Sequence, residues 1–251
     1  MRLNLYLVCK KIGISLLDTL FPIHCLSCNA YGEYLCTNCL EHFPRRLRQR
    51  CPHCRRATTP RGEVCFSCSG KSSLDGLFVA SHYRHPLVAT SIHTYKYRFI
   101  PALAEPLGTW LAERVLEIDL PLPDVFIPVP LHKRRLRFRG FNQSALLADT
   151  LAETLTPGSV LPVLHNCLLR TRYTKPQIKT TVREERLSNL KNAFALAPEM
   201  PLGRETSKSS LLGKTIWLID DVATTGTTLE ECARVLKKAG AKSVFGIVLA
   251  R

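Results

Sequence analysis

The stretch Thr-Ile-Trp-Leu-Ile-Asp-Asp-Val-Ala-Thr-Thr-Gly-Thr-Thr at positions 215–228 constrains this chain more than any other. Ile216, Trp217, Leu218 and Ile219 form a short unbroken apolar run, which suits a strand covered on both faces, as in a parallel sheet. Asp220 and Asp221 follow at once, then a small-residue loop with Thr224, Thr225, Gly226, Thr227 and Thr228. Over 229–239, Leu229, Cys232, Ala233, Val235 and Leu236 recur at helical spacing, and Gly240 stands where a helix would stop. A strand, a Gly/Thr loop and a helix N-terminus make an anion site, because free N–H groups point outward and the helix dipole favours negative charge. The two carboxylates repel a bare phosphate. Their partner is instead a sugar's vicinal hydroxyls or a divalent cation.

A second feature divides the chain. Eight of its eleven cysteines form four Cys-x-x-Cys pairs: Cys25 and Cys28, Cys36 and Cys39, Cys51 and Cys54, Cys65 and Cys68. That is metal spacing, since each knuckle presents two thiolates to one ion and a second knuckle completes a tetrahedral four-sulfur site. Eight ligands predict two structural zinc ions, paired either in sequence or in an interleaved, cross-braced manner. His24, His42 and His53 read as bystanders. Arg45, Arg46, Arg48, Arg50, Arg55, Arg56 and Arg61 lie between and inside the knuckles with no acid among them. They form either a solvated basic surface or a face for nucleic-acid phosphates, with Phe43 and Phe66 as stacking partners.

At 251 residues the chain accommodates an α/β domain and a small appendage, so the expected division is a helix over 1–22, a double zinc ribbon over 23–72 and an α/β domain over 73–251. The formal net charge of +15 favours phosphate-rich partners: nucleotides, nucleic acid or an anionic membrane surface. No run approaches the ~20 apolar residues of a membrane-spanning helix. Residues 3–9 are apolar, but Lys10 and Lys11 interrupt them and no small-residue cleavage site follows, so the sequence predicts a cytoplasmic protein. Residues 3–21 read as an amphipathic helix, packed on the main domain or touching a membrane surface through its apolar face.

From Leu74 onward strands and helices alternate, which predicts a mainly parallel sheet. Strands are expected at 77–83, 125–129, 193–196 and 243–249, and helices at 86–97, 101–117 and after Gln143, the last with Ala145, Leu146, Ala148 and Leu151 facing inward. Thr181 and Glu184 form a capping box for another helix. The strand at 125–129 runs into a loop carrying Lys133, Arg134, Arg135, Arg137 and Arg139 without an acid. Loops leaving the carboxyl ends of strands build ligand sites in open α/β sheets, so this loop is placed to hold a polyphosphate.

The strand, acid pair and Thr-Thr-Gly-Thr loop closely resemble the 5-phosphoribosyl-1-pyrophosphate (PRPP) motif of type I phosphoribosyltransferases. Together with the four Cys-x-x-Cys pairs, Arg139-Gly-Phe-Asn-Gln143 and Asn189-Leu-Lys-Asn-Ala-Phe194, the whole resembles the ComF family, bacterial phosphoribosyltransferase-like proteins linked to competence for DNA uptake. The resemblance implies a zinc-ribbon region joined to a type I phosphoribosyltransferase fold. It implies that Thr224, Thr225, Gly226, Thr227 and Thr228 hold the 5-phosphate of PRPP, and that Asp220 and Asp221 face its ribose hydroxyls with Mg²⁺. Lys133, Arg134, Arg135 and Arg139 then meet the pyrophosphate, and the segment 170–177 resembles the family's mobile loop, with Arg172 and Lys175 as its cations. No base for an acceptor stands out, and no base-recognising hood is expected after Arg251. The implied function is a PRPP-binding, phosphoribosyltransferase-like role in uptake or processing of single-stranded DNA. The alternative is a non-catalytic nucleic-acid-binding or adaptor protein that docks a helicase partner and uses PRPP only as a sensor ligand.

Overall fold

Every residue of Gly76–Ser81 is buried, as is every residue of Val125–Pro128, and such strands need cover on both faces. In the computed structural model, which describes residues 22–46, 48–158, 161–173, 192–198 and 211–251, they form the two edges of a four-stranded parallel sheet. Its strands are β1 (Gly76–Ser81), β2 (Val125–Pro128), β5 (Thr215–Val222) and β6 (Ser243–Ala250), in the spatial order β1-β6-β5-β2. Between β2 and β5 in sequence, β3 (Leu168–Arg170) and β4 (Phe194–Leu196) pair antiparallel in a separate ribbon. The chain divides into two compact units, Met1–Phe43 and Pro44–Arg251.

The helices are α1 (Thr37–Glu41) in the first unit and, in the second, α2 (Pro86–Tyr97), α3 (Ala104–Leu116), α4 (Lys133–Arg139), α5 (Gln143–Leu155) and α6 (Thr227–Lys238). On α6, Leu229, Cys232, Ala233 and Leu236 follow the i, i+3, i+4, i+7 stripe. They join Leu77, Val79, Val125, Ile127, Ile216, Leu218, Val244 and Val248 in one core, so alternate residues of all four strands face this helix. The inward stripe of α5 is Leu147, Ala148, Leu151 and Ala152, displaced from the expected Ala145, Leu146, Ala148 and Leu151. The basic tract after β2 is a helix, not the expected loop. His132 caps it, accepting from the Arg134 N–H at 3.2 Å, and Gly140 ends it in the left-handed conformation. Lys and Arg are good helix formers, and one cap at each end is enough to close two turns. The helices expected at 3–21 and after Thr181 lie outside the described residues.

Both edges of the sheet are covered. Beyond β2, the Phe126 N–H donates to Pro162 O at 3.0 Å and the Leu164 N–H to Phe126 O at 2.9 Å. Beyond β1, residues following the third cysteine knuckle pair antiparallel: the Leu77 N–H reaches Gly62 O at 2.9 Å and the Val64 N–H reaches Asp75 O at 2.9 Å. Buried Gln49 reinforces this by bonding both the N–H and C=O of Val79, at 3.0 and 3.1 Å. The third and fourth knuckles thus close an otherwise open β edge.

Gly62 is the tight point of that closure. Its φ is +79°, and a Cβ there would lie 2.2 Å from Leu77 O. Gly62→Ala is expected to cost at least ~1–3 kcal/mol from the backbone conformation alone, before the collision is relieved. Thermal unfolding checks this, and a variant melting with the parent would contradict the edge closure described.

Candidate functional site

β5 runs on through both acids to Val222, so successive side chains leave opposite faces of the sheet. Asp220, partly accessible, accepts from Ser144 Oγ at 2.9 Å and from the Asp221 N–H at 2.9 Å. Asp221 is 5 % exposed and pairs with Lys96 Nζ at 2.9 Å. Burial opposes the Lys96 charge, but the Asp221 carboxylate more than offsets it and raises the lysine pKa. Burial likewise pushes Asp220 up to about 7, with the Asp221 charge adding to the shift and Lys96 and Ser144 resisting it. Two adjacent carboxylates are therefore kept unequal: one paired, one easily neutralised.

The loop after β5 turns at Gly226, whose φ of 78° is left-handed and where an added Cβ would meet only Arg251 Nη2, at 3.7 Å. Thr225 and Thr227 hydroxyls share a 2.9 Å hydrogen bond, and the Gly226 carbonyl accepts from the Glu230 N–H at 2.9 Å as α6 begins. A second support comes from far away in sequence: the Arg55 guanidinium donates to the Thr225 carbonyl. Thr224 is exposed, Thr227 is buried and Thr228 half-buried. Together they place a helix N-terminus with hydroxyl donors beside the acid pair.

β2 is the hydrogen-bonded neighbour of β5, so α4 leaves the same end of the sheet as the acids. The Val129 N–H extends that pairing to Ile219 O at 2.9 Å. The charge of Asp221 bears on Arg139, which also lies over the Tyr97 ring at 5.5 Å, while burial lowers the arginine's pKa. Lys133, Arg134 and Arg135 occupy the first turn of the same helix. Desolvation, then the charges of Arg134, Arg170, Arg135 and Lys133, depress the pKa of His132, keeping its Nδ1 free to accept as the helix cap. Tyr173 stacks edge-on to His132 at 5.2 Å and under Arg134 at 5.4 Å, which brings the segment carrying Arg172 to the basic helix. Lys175 lies outside the described residues.

On the other side of the Gly/Thr loop is an open cavity of about 1120 Å³. Arg45, Arg46, Arg48, Arg50, Arg84 and Arg251 line it without any acidic side chain, and His82, Tyr83, Val222 and Thr224 complete the wall. Burial and the Arg50 charge lower the pKa of Arg46, and burial with both arginines lowers that of His82. The arginine run thus faces a cavity shared with the Gly/Thr loop. Of the aromatic residues expected to stack, Phe43 is only 2 % exposed and cannot serve, whereas Phe66 is 97 % exposed; Tyr83 joins the cavity lining.

The cysteines resolve into Cys25, Cys28, Cys36 and Cys39, and Cys51, Cys54, Cys65 and Cys68, so the pairing is sequential. Within each set the sulfurs lie within 4.8 Å of one another, with Cys28 and Cys36 at 3.6 Å and Cys54 and Cys65 at 3.8 Å. A tetrahedral zinc with ~2.3 Å bonds needs sulfurs ~3.8 Å apart, so both sets fit the ion with no further ligand. Four sulfurs close each site, which makes the role structural. Amides of Ala57 and Arg56 aimed at Cys54 lower the pKa of its thiol, whereas burial raises those of Cys65 and Cys68 in the same set.

Lys96 and Ser144 were not singled out by sequence. Lys96 sits in Tyr95-Lys96-Tyr97-Arg98 at the end of α2, a cationic helix end that also reads as solvated surface. Arg55 was read as one more member of a basic run. Among the described residues, no helix is long and apolar enough to cross a membrane.

This combination of fold and cysteine sites defines a phosphoribosyltransferase-like protein with a double zinc ribbon. Residues 144–251 match the family described as "Phosphoribosyl transferase domain", and residues 16–70 match "Double zinc ribbon domain". "Competence protein F" of Haemophilus influenzae is 30% identical over 243 residues, covering 92% of this chain and 98% of that one. "DNA utilization protein YhgH" of Escherichia coli (strain K12) is 33% identical over 221 residues, covering 86% and 89%, and "Competence protein ComFC" of Bacillus subtilis is 28% identical over 229 residues, covering 87% and 85%. The chain belongs to the ComF family. Among solved structures, glutamine PRPP amidotransferase from B. subtilis is 18% identical with a TM-score of 0.39; the match covers 62% of this chain and 30% of that one, and the fold assignment does not rest on it.

Proposed function

We propose that this protein binds PRPP with Mg²⁺ at the carboxyl end of β5 and handles single-stranded DNA in competence. The observation that carries the reading is the acid pair meeting the Gly226 loop and the basic helix α4 at one end of the sheet. Thr224 through Thr228 hold the 5-phosphate by backbone N–H groups and hydroxyls, the α6 N-terminus adding its dipole. Asp220 and Asp221 would accept the ribose hydroxyls, and a Mg²⁺ ion held beside them would supply charge to offset the pyrophosphate. Lys133, Arg134, Arg135 and Arg139, with Arg172 and Lys175, neutralise the pyrophosphate. In a transfer, the bond from C1 to pyrophosphate oxygen breaks, the pyrophosphate keeps the electron pair, and the acceptor bonds to C1. Positioning and charge stabilisation supply the rate. In a second reading PRPP is bound and not consumed. Pyrophosphate release in the presence of single-stranded DNA separates the two.

The arginine-lined cavity supports the DNA half of the reading. At about 1120 Å³ it exceeds an ordinary small-molecule pocket, and its charge suits a phosphodiester chain. The names of the relatives in H. influenzae, E. coli and B. subtilis refer to competence and DNA utilisation, which agrees with a cytoplasmic role on incoming strands. Fluorescence anisotropy with single-stranded DNA across a salt series tests it. Arg46→Glu with Arg84→Glu is expected to weaken binding by tenfold or more and to flatten the dependence of log K on log salt. An unaltered slope would remove the cavity from the account.

The acid pair predicts a pH dependence. Asp220 has a folded pKa near 7, above its ordinary 3.8. The stability fully present below the ordinary value is therefore lost as pH rises towards 7, and no further above it. PRPP affinity moves the other way, because the ionised carboxylate accepts ribose hydroxyls through both oxygens and more strongly than the neutral acid does. Calorimetric titrations at about pH 6 and about pH 8 are expected to show tighter binding at the higher pH. Ser144→Ala, which removes a hydrogen bond to the ionised form, is expected to shift the rise upward.

A further inference from the structure

The first and third cysteine knuckles make the same turn. In the first, the Asn29 N–H returns to Cys25 O at 3.0 Å, and Asn29 has a φ of 63°. In the third, the Arg55 N–H returns to Cys51 O at 2.9 Å, and Arg55 has a φ of 62°. The position after the second cysteine of each knuckle is therefore held left-handed. Asparagine tolerates that region; arginine gains nothing from it, and its presence asks for a separate reason.

Its guanidinium supplies one. The Arg55 Nη2 donates to the Thr225 carbonyl, 170 residues further along, inside the loop read above as the 5-phosphate cradle. A trans peptide holds C=O and N–H on opposite sides of one plane. Fixing the Thr225 carbonyl towards Arg55 therefore turns the Gly226 N–H the other way, away from Arg55. Gly226 needs such a constraint. Glycine accepts either sign of φ at little cost, so its preceding peptide is free to flip, and a flipped peptide would aim a carbonyl oxygen at the anion. The same knuckle unit is tied to the helix behind the loop, where Glu230 accepts from Ser72 Oγ at 2.7 Å and from the Ser73 N–H. The backbone of Arg55 is fixed in turn, its carbonyl accepting from Arg50 Nη1 at 3.4 Å.

We propose that Arg55 is a positioning residue of the PRPP site: it locks the Thr225–Gly226 peptide with its N–H towards the phosphate, and the second four-cysteine site holds it there. The zinc knuckle is then part of the ligand site through its backbone, although it touches no ligand. The inference rests on the PRPP reading, and its consequences extend to the unliganded protein. Arg55 does not ligate the metal, so Arg55→Ala separates the two roles.

The test compares the full-length parent, Arg55→Ala and Arg55→Lys by zinc content, thermal unfolding, amide hydrogen exchange over residues 223–228 and calorimetric titration with Mg²⁺ and PRPP. The expected result for Arg55→Ala is two zinc equivalents retained, faster exchange of the loop amides without any ligand, and PRPP affinity lowered about tenfold to a hundredfold, as for loss of a charge-assisted hydrogen bond. Arg55→Lys, which keeps a donor on a shorter reach, is expected to recover part of both changes. A parent that fails to bind PRPP would count against the function proposed above, and the loop exchange would still report on Arg55. Loop exchange and affinity both at parental values in Arg55→Ala would overturn the assignment.

Discussion

Asp221→Asn is expected to destabilise the second unit by about 3–5 kcal/mol and to abolish PRPP binding. The carboxylate is buried and bonded to Lys96 Nζ at 2.9 Å, and the lysine side chain is only 20% exposed. Removing one partner of such a pair leaves the other charge stranded in a poor dielectric. For a unit of this size, the melting temperature is expected to fall by about 6–20 °C. The double variant Lys96→Met with Asp221→Leu removes both charges and is expected to regain most of the stability while PRPP binding stays lost. Circular dichroism melts and calorimetric titration report the two effects separately. Equal melts for the parent and Asp221→Asn would show that the pair contributes nothing.

The second large effect is expected at the second four-cysteine site. Cys51 has no exposure, and its knuckle carries the chain that closes the free edge of β1. Where a zinc site is the whole fold, the metal contributes ~10–16 kcal/mol; here the sheet supplies its own core, and a loss of about 5 kcal/mol is expected for Cys51→Ala. Metal analysis is expected to fall from two equivalents to one, and amides of 62–64 and 75–77 to lose hydrogen-exchange protection. Cys28→Ser, in the first unit, is expected to cost one zinc and leave those amides protected. Equal loss of protection in the two variants would contradict the assignment of the second site to the β1 edge.

Much of this was legible in the sequence, for identifiable reasons. A strand covered on both faces has no polar alternation, so Ile216 to Ile219 announced the centre of the sheet, and the acids and Gly/Thr loop followed at fixed offsets. Cys-x-x-Cys spacing is equally local and marked the eight ligands, but sequential and interleaved pairing both fit it, and only the folded chain separates them. The helix α4 was misread because five cations in a row of seven resemble a loop and its N-cap, His132, carries no strong sequence signal; Gly140 fits a helix stop and a loop turn alike. Lys96, Ser144 and Arg55 were missed for a different reason. Each meets its partner across 76 to 170 residues, and nothing local distinguishes a lysine that pairs with a buried aspartate from one that points to water. The double ribbon also reads as one element in sequence, although its second half lies in the same compact unit as the sheet.

The central claim is that the acid pair, the Gly226 loop and the basic helix form one PRPP site, and isothermal titration of the zinc-loaded protein with PRPP in the presence of Mg²⁺ tests it most directly. Saturable one-to-one binding, lost in Asp221→Asn and lost when Mg²⁺ is withheld, is the predicted result. No heat of binding with the parent, or binding that survives Asp221→Asn unchanged, would contradict it.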